Sequence, residues 1–166
     1  MISNGVSSMS TLDPIKISIS SNPISLEGIL GKLEHGEIDL NTEFQRKNGL
    51  WDPKTKSQLI ESLILRIPLP VFYFDGINDD KWLVIDGFQR LTTFKEFFIE
   101  KSLKLIGLEY FPDFNGYKCE DLPLIYLRRM KETLMFSYII RSPTPENEKL
   151  NIYKRINNPE RWNNGT

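Results

Sequence analysis

Asp86-Gly87-Phe88-Gln89-Arg90-Leu91-Thr92-Thr93 follows directly on the apolar run Trp82-Leu83-Val84-Ile85. That order suits a buried strand that ends in an acid and a glycine and then turns into a helix. The first amides of such a helix have no intrahelical acceptor, and its dipole favours negative charge. A glycine lets a phosphate approach the backbone, and an arginine in the first turn adds a planar fork of donors. These residue types in this order suit an anion, and a nucleotide phosphate matches best. Asp86 adds a carboxylate for Mg²⁺, which takes one or two carboxylates together with phosphate oxygens. The competing readings are structural: Arg90 pairs with Asp86 or another acid, and Asp86 caps the helix.

A second donor group stands upstream at Phe44-Gln45-Arg46. Two arginines from separate segments hold more than one phosphate, or stabilise charge that develops during hydrolysis. The alternative is a surface loop beside a buried Phe44. Trp51 is core, or a wall under a base. Arg155 and Asn157 are either a third contribution to the site or the polar end of a last helix that buries Ile152, Tyr153 and Ile156. Arg128-Arg129-Met130-Lys131 reads as a solvated helix face before it reads as a nucleic-acid contact. His35 and Cys119 make neither a zinc site nor a nucleophilic dyad.

The elements that position these groups follow from periodicity. Leu26, Ile29, Leu30 and Leu33 share a face behind a Ser25 cap, which predicts a short helix ending near Gly36. Asp52-Pro53 opens a helix to about Arg66 that buries Leu59, Ile60, Leu63 and Ile64. Val71–Phe74 and Lys81–Ile85 predict a hairpin across the turn 75–80. A helix from 88 to about 100 buries Leu91, Phe94 and Phe98. Residues 101–119 read as broken strand, and Asp121 as the cap of a helix over 122–131. Leu134–Ile140 reads as β, and Pro143 and Pro145 precede a helix to about Ile156.

The bulk numbers agree with one α+β domain. The chain has 166 residues, 40% hydrophobic and 26% charged, enough for one core. Lys and Arg number 21 against 22 acids, a net charge of −1, so no general basic field draws the chain to DNA. The single cysteine excludes an intrachain disulfide and fits the cytoplasm. No apolar run approaches ~18 residues, so no membrane partner is expected. Residues 1–17 read as a leader, 18–157 as the domain and 158–166 as a tail.

Three segments together, Phe44-Gln45-Arg46…Trp51, Leu59-Ile60-Glu61-Ser62-Leu63…Ile67-Pro68-Leu69-Pro70 and Asp86-Gly87-Phe88-Gln89-Arg90-Leu91-Thr92, resemble the N-terminal domain of GmrSD-type restriction systems. That family lies within the ParB/sulfiredoxin-like fold, and the resemblance covers about residues 25–157. It implies a small mixed sheet flanked by helices. It also implies nucleoside triphosphate binding and Mg²⁺-dependent hydrolysis in defence against foreign DNA. Asp86, Gln89, Arg90 and Gln45 would then be catalytic, while Arg46, Gly87, Phe88, Thr92, Thr93, Arg155 and Asn157 hold the nucleotide and Asp86 the metal. A non-hydrolysing, nucleotide-gated module and a DNA-binding or nuclease module are the alternatives, and a partner nuclease or nuclease domain is the implied associate. Phe88 stands where sulfiredoxins carry their reactive cysteine, which excludes that reaction. Larger relatives carry a His-Asn-His nuclease domain, whose site a chain with one histidine does not supply. Asn158-Pro159-Glu160 replaces the family's glycines after Asn157.

Overall fold

The computed structural model describes residues 16–40 and 49–158. Chain order gives β1 (Ser18–Ser25), α1 (Leu26–Glu34), β2 (Ile38–Asp39), α2 (Pro53–Ile64), β3 (Phe72–Asp75) and β4 (Trp82–Asp86). There follow α3 (Phe88–Phe94), α4 (Leu124–Glu132), β5 (Leu134–Arg141) and α5 (Glu146–Ile156). The strands form one mixed sheet in the order β1-β5-β3-β4-β2. The protein is a mixed α+β domain, as its patterning predicts. Gln45 and Arg46 lie outside the described residues.

Local chemistry sets the helix starts as expected. Ser25 Oγ accepts from the Gly28 amide at 3.1 Å, and Asp52 Oδ1 accepts from the Thr55 amide at 2.7 Å. Pro53 takes the first helical position of α2, where its missing N–H has no intrahelical partner to lose. The four predicted apolar residues of α2, and those of α1, are buried. The hairpin is present: β3 and β4 are antiparallel. Phe72, Phe74, Trp82, Val84, Met135 and Ile139 occupy one face of the sheet and join the core that α1 to α4 supply. α5 packs on the opposite face, against β4.

One strand had no predicted counterpart, and three expectations need correction. Residues 18–25 are a strand, β1, paired antiparallel with β5 from Ser18 opposite Arg141 to Ser25 opposite Leu134. Its alternation is of serine with isoleucine, too weak to announce a strand without the partner. Residues 101–119 hold no strand. Glu61, buried on α2, accepts from the amides of Glu109, Tyr110 and Phe111 at 3.1, 2.6 and 3.0 Å, so a buried carboxylate replaces ladder partners. Asp121 does not cap α4. Its Oδ2 accepts from the Lys118 amide at 2.9 Å and closes a 3₁₀ turn, and α4 starts after Pro123. The helix from Phe88 does run to Ile99 as predicted, widening at Lys95–Ile99 into a π turn with the Glu100 amide donating to Lys95 O at 2.9 Å. Ile152, Tyr153 and Ile156 are half-buried rather than buried.

Candidate functional site

The corner between β4 and α3 turns on backbone that only glycine accommodates easily. Gly87 has φ 110° and ψ 10°, in the left-handed region. A Cβ there would drive into the Phe72 ring and come 3.3 Å from Arg90 Nη2. The first intrahelical bond of α3 runs from the Leu91 amide to Gly87 O, and no side chain caps the helix. The amides of Phe88, Gln89 and Arg90 therefore have no intrahelical acceptor.

Beneath this turn Arg90 is used internally. It is 8% exposed; Nη1 donates to Pro70 O, Nη2 donates to Val71 O at 3.2 Å, and the guanidinium lies over the Phe72 ring 4.1 Å from its centroid. Asp86 Oδ2 stands 3.7 Å from Nη2, a loose pair. Burial pulls the guanidinium's pKa down, opposed by Asp86. Arg90 thus keeps its charge under the turn while Nη1 and Nη2 each donate to the chain entering β3.

Gln89 is also committed. Its Oε1 accepts from the Trp51 amide at 3.0 Å, and its Nε2 donates to Gly49 O. Both carboxamide atoms hold the chain at Gly49 and Trp51, so Gln89 ties the β4–α3 corner to the segment that leads into α2. Trp51 and Phe88 pack against the core as partly buried side chains. Thr93 is fully buried, and its Oγ1 donates to Gln89 O at 2.8 Å.

Asp86 faces differently. Between Val84 opposite Phe74 and Asp86 opposite Tyr73, β4 has one residue more than β3, which is a β-bulge. Bulges re-aim side chains at strand ends. Here the bulge sets Asp86 on the side of Tyr73, and its side chain is 47% exposed. Burial, then the neighbouring Tyr138 and Asp86, push the Tyr73 hydroxyl up.

Three buried side-chain polar atoms have no hydrogen-bond partner among the described residues: Thr92 Oγ1, Asn157 Nδ2 and Ser137 Oγ. Such atoms are rare in folded proteins and call for an explanation. Thr92 and Asn157 both carry expected nucleotide contacts. Arg155 is exposed. Among the described residues no group of three or more His, Cys, Asp or Glu side chains is arranged to hold a metal. Asp86 offers one accessible carboxylate, which fits Mg²⁺ only in company with phosphate oxygens.

One charged cluster escaped the sequence reading. Asp75, 3% exposed at the end of β3, accepts from Tyr153 Oη at 2.5 Å and from the Ile77 amide at 3.1 Å, and pairs with Lys149 Nζ at 3.2 Å. The signal was an acid closing the apolar run Val71–Phe74, read as the first residue of the turn. Cys119 is a buried free thiol whose pKa is pushed up by burial. Clefts among the described residues include one of about 540 Å³ beside the Lys56–Glu96 ion pair and one of about 300 Å³ between Arg66 and Arg129.

No helix among the described residues is long and apolar enough to cross a membrane. No curated protein and no solved structure matches the chain. Residues 26–164, which take in the bulged acid, the left-handed glycine and the segment clamped by Gln89, match the family described as the GmrSD restriction endonuclease, N-terminal domain, and the chain belongs to that family.

Proposed function

We propose that this domain binds a nucleoside triphosphate at the β4–α3 corner and that bound nucleotide serves a restriction system. Membership of the GmrSD family points to a role in restriction and defence. The observation that supports nucleotide binding is the Gly87 turn itself. A left-handed glycine with no room for a side chain starts a helix whose first amides no side chain caps, close to a buried guanidinium. Oriented amides and a nearby cation both favour a phosphate. Asp86 would meet Mg²⁺ bridging the phosphates. Phosphoryl transfer depends mainly on positioning and charge stabilisation, so a site without histidine is chemically adequate.

Hydrolysis needs more than the described corner offers. Arg90 and Gln89 are engaged with backbone groups, so Gln45 and Arg46 would have to supply the water-orienting group and the charge on the transferring phosphoryl. That engagement favours the second reading, a nucleotide-gated module that binds without turnover. Direct DNA cleavage has the least support, with a net charge of −1. Thermal melting with each of the four ribonucleoside triphosphates and Mg²⁺, run beside a phosphate-release assay, tests the proposal. A site filled to about 100 times its Kd adds ~2.7 kcal/mol. The melting temperature should therefore rise by several degrees. Release of phosphate supports the hydrolase, a shift without release supports the gated module, and no shift at millimolar nucleotide overturns both.

A further inference from the structure

The face of the sheet away from the core is only half covered. α5 lies over the Asp75 end, through Tyr153 and Lys149. Among the described residues the rows beyond are left open: Tyr73 and Tyr138 opposite Ser21, then Phe136 opposite Pro23. Tyr138 is 41% exposed and Phe136 59%. The Tyr73 and Tyr138 rings are stacked, with centroids 5.5 Å apart and planes at 29°, so each braces the other.

This aromatic row begins where the nucleotide corner ends. The β4 bulge sets Asp86 opposite Tyr73, one residue before Gly87. We infer that the Tyr73–Tyr138 ledge, continued by Phe136, is the stacking platform for the base of the nucleotide whose phosphates the Gly87 turn takes. This rests on the reading of that turn given above.

Three observations carry it. Tyr138 lies two strands from Asp86 in the order β4-β3-β5, so at strand spacing the rings stand about 10 Å from the turn, the reach of a ribose between its base and its phosphates. The charged residue paired with Tyr73 across the sheet is a carboxylate, Asp86, and among the described residues the strand rows of Tyr73 and Phe136 contain no cation. A phosphate is repelled there, whereas a neutral heterocycle is not. The same absence of cations argues against a polynucleotide backbone crossing the ledge. Finally, π faces offered by tyrosine and phenylalanine suit every base, so the ledge adds affinity with little choice among bases.

The test titrates the whole chain calorimetrically with inorganic tripolyphosphate and with GTP and CTP, each with Mg²⁺. The expected result is that both nucleotides bind about tenfold or more tighter than tripolyphosphate. Tyr138→Ala should erase that advantage without changing tripolyphosphate affinity, and Tyr138→Phe, which keeps the ring, should restore it. If Tyr138→Ala fails to melt cooperatively, Phe136→Ala, on the more exposed ring, gives the same comparison. An advantage that survives both alanine variants overturns the ledge and leaves the phosphate turn standing. Failure of both tripolyphosphate and nucleotides to bind overturns the turn, and the ledge falls with it. If the alanine variants convert a dimer to a monomer while nucleotide preference stays unchanged, the face belongs to a second copy and the inference is overturned.

Discussion

Arg90 marks the difference between recognising a motif and knowing its geometry. Its type and place beside Asp86-Gly87 were legible because strand, glycine and helix start are all local signals. Its direction was not. Pro70 and Val71 present carbonyls at the mouth of β3, and only their tertiary approach shows that the guanidinium is needed there. Gln89 was hidden for the same reason, since its partners Gly49 and Trp51 lie about forty residues away in the chain. Arg90→Ala is consequently a stability variant before it is a binding variant. It strands two carbonyls, uncovers the Phe72 ring and removes a buried side chain. A loss of about 2–4 kcal/mol is expected by urea denaturation. An unchanged midpoint would show that the guanidinium is not anchored in this way.

Among the elements, α1, α2 and the β3–β4 hairpin were legible because cap, period and turn residues agree with one another. The strand β1 and the tract 101–119 were not, because each is defined by a partner distant in sequence: β5 for the first and Glu61 for the second. α5 was legible as a helix, but its attachment was not. It has no fully buried residue, and its polar anchors converge on Asp75. Burial raises the Tyr153 hydroxyl far above its ordinary value, reinforced by its hydrogen bond to Asp75. Lys149 is raised too: burial lowers it, but its bonds to Glu146 and Asp75 outweigh that. Both groups are therefore more basic folded than unfolded. Their stabilisation is complete below the unfolded values, about 10 for tyrosine and 10.4 for lysine, and is lost as pH rises above them. Hydrogen exchange or chemical denaturation between about pH 8 and 11 should show α5 loosening at the alkaline end. Tyr153→Phe, lacking the titrating hydroxyl, should flatten much of that dependence. A wild-type profile that is level through about pH 11 would contradict the anchor.

At the scale of the molecule, the sheet order places the first strand at one edge and the last strand inside it. β5 has β3 on one side and β1 on the other, so removing residues 1–25 bares an eight-residue strand with Leu134 and Phe136 already facing solvent. Unprotected strands of that kind recruit other chains. The shortened protein should scatter light on standing at micromolar concentration, and a stable monomer by sedimentation would count against the assignment of β1. The α+β class and the family were legible before any coordinates, because composition, three motifs and their spacing point the same way.

The order β1-β5-β3-β4-β2 also has a temporal consequence. Synthesis proceeds from the N-terminus, yet Ser18 finds its ladder partner only at Arg141. The opening segment must wait on the ribosome, unmated, until nearly the entire domain has emerged. Closing so long a loop is slow and comes late, which makes β1 the seam that seals the nascent fold rather than the seed that starts it.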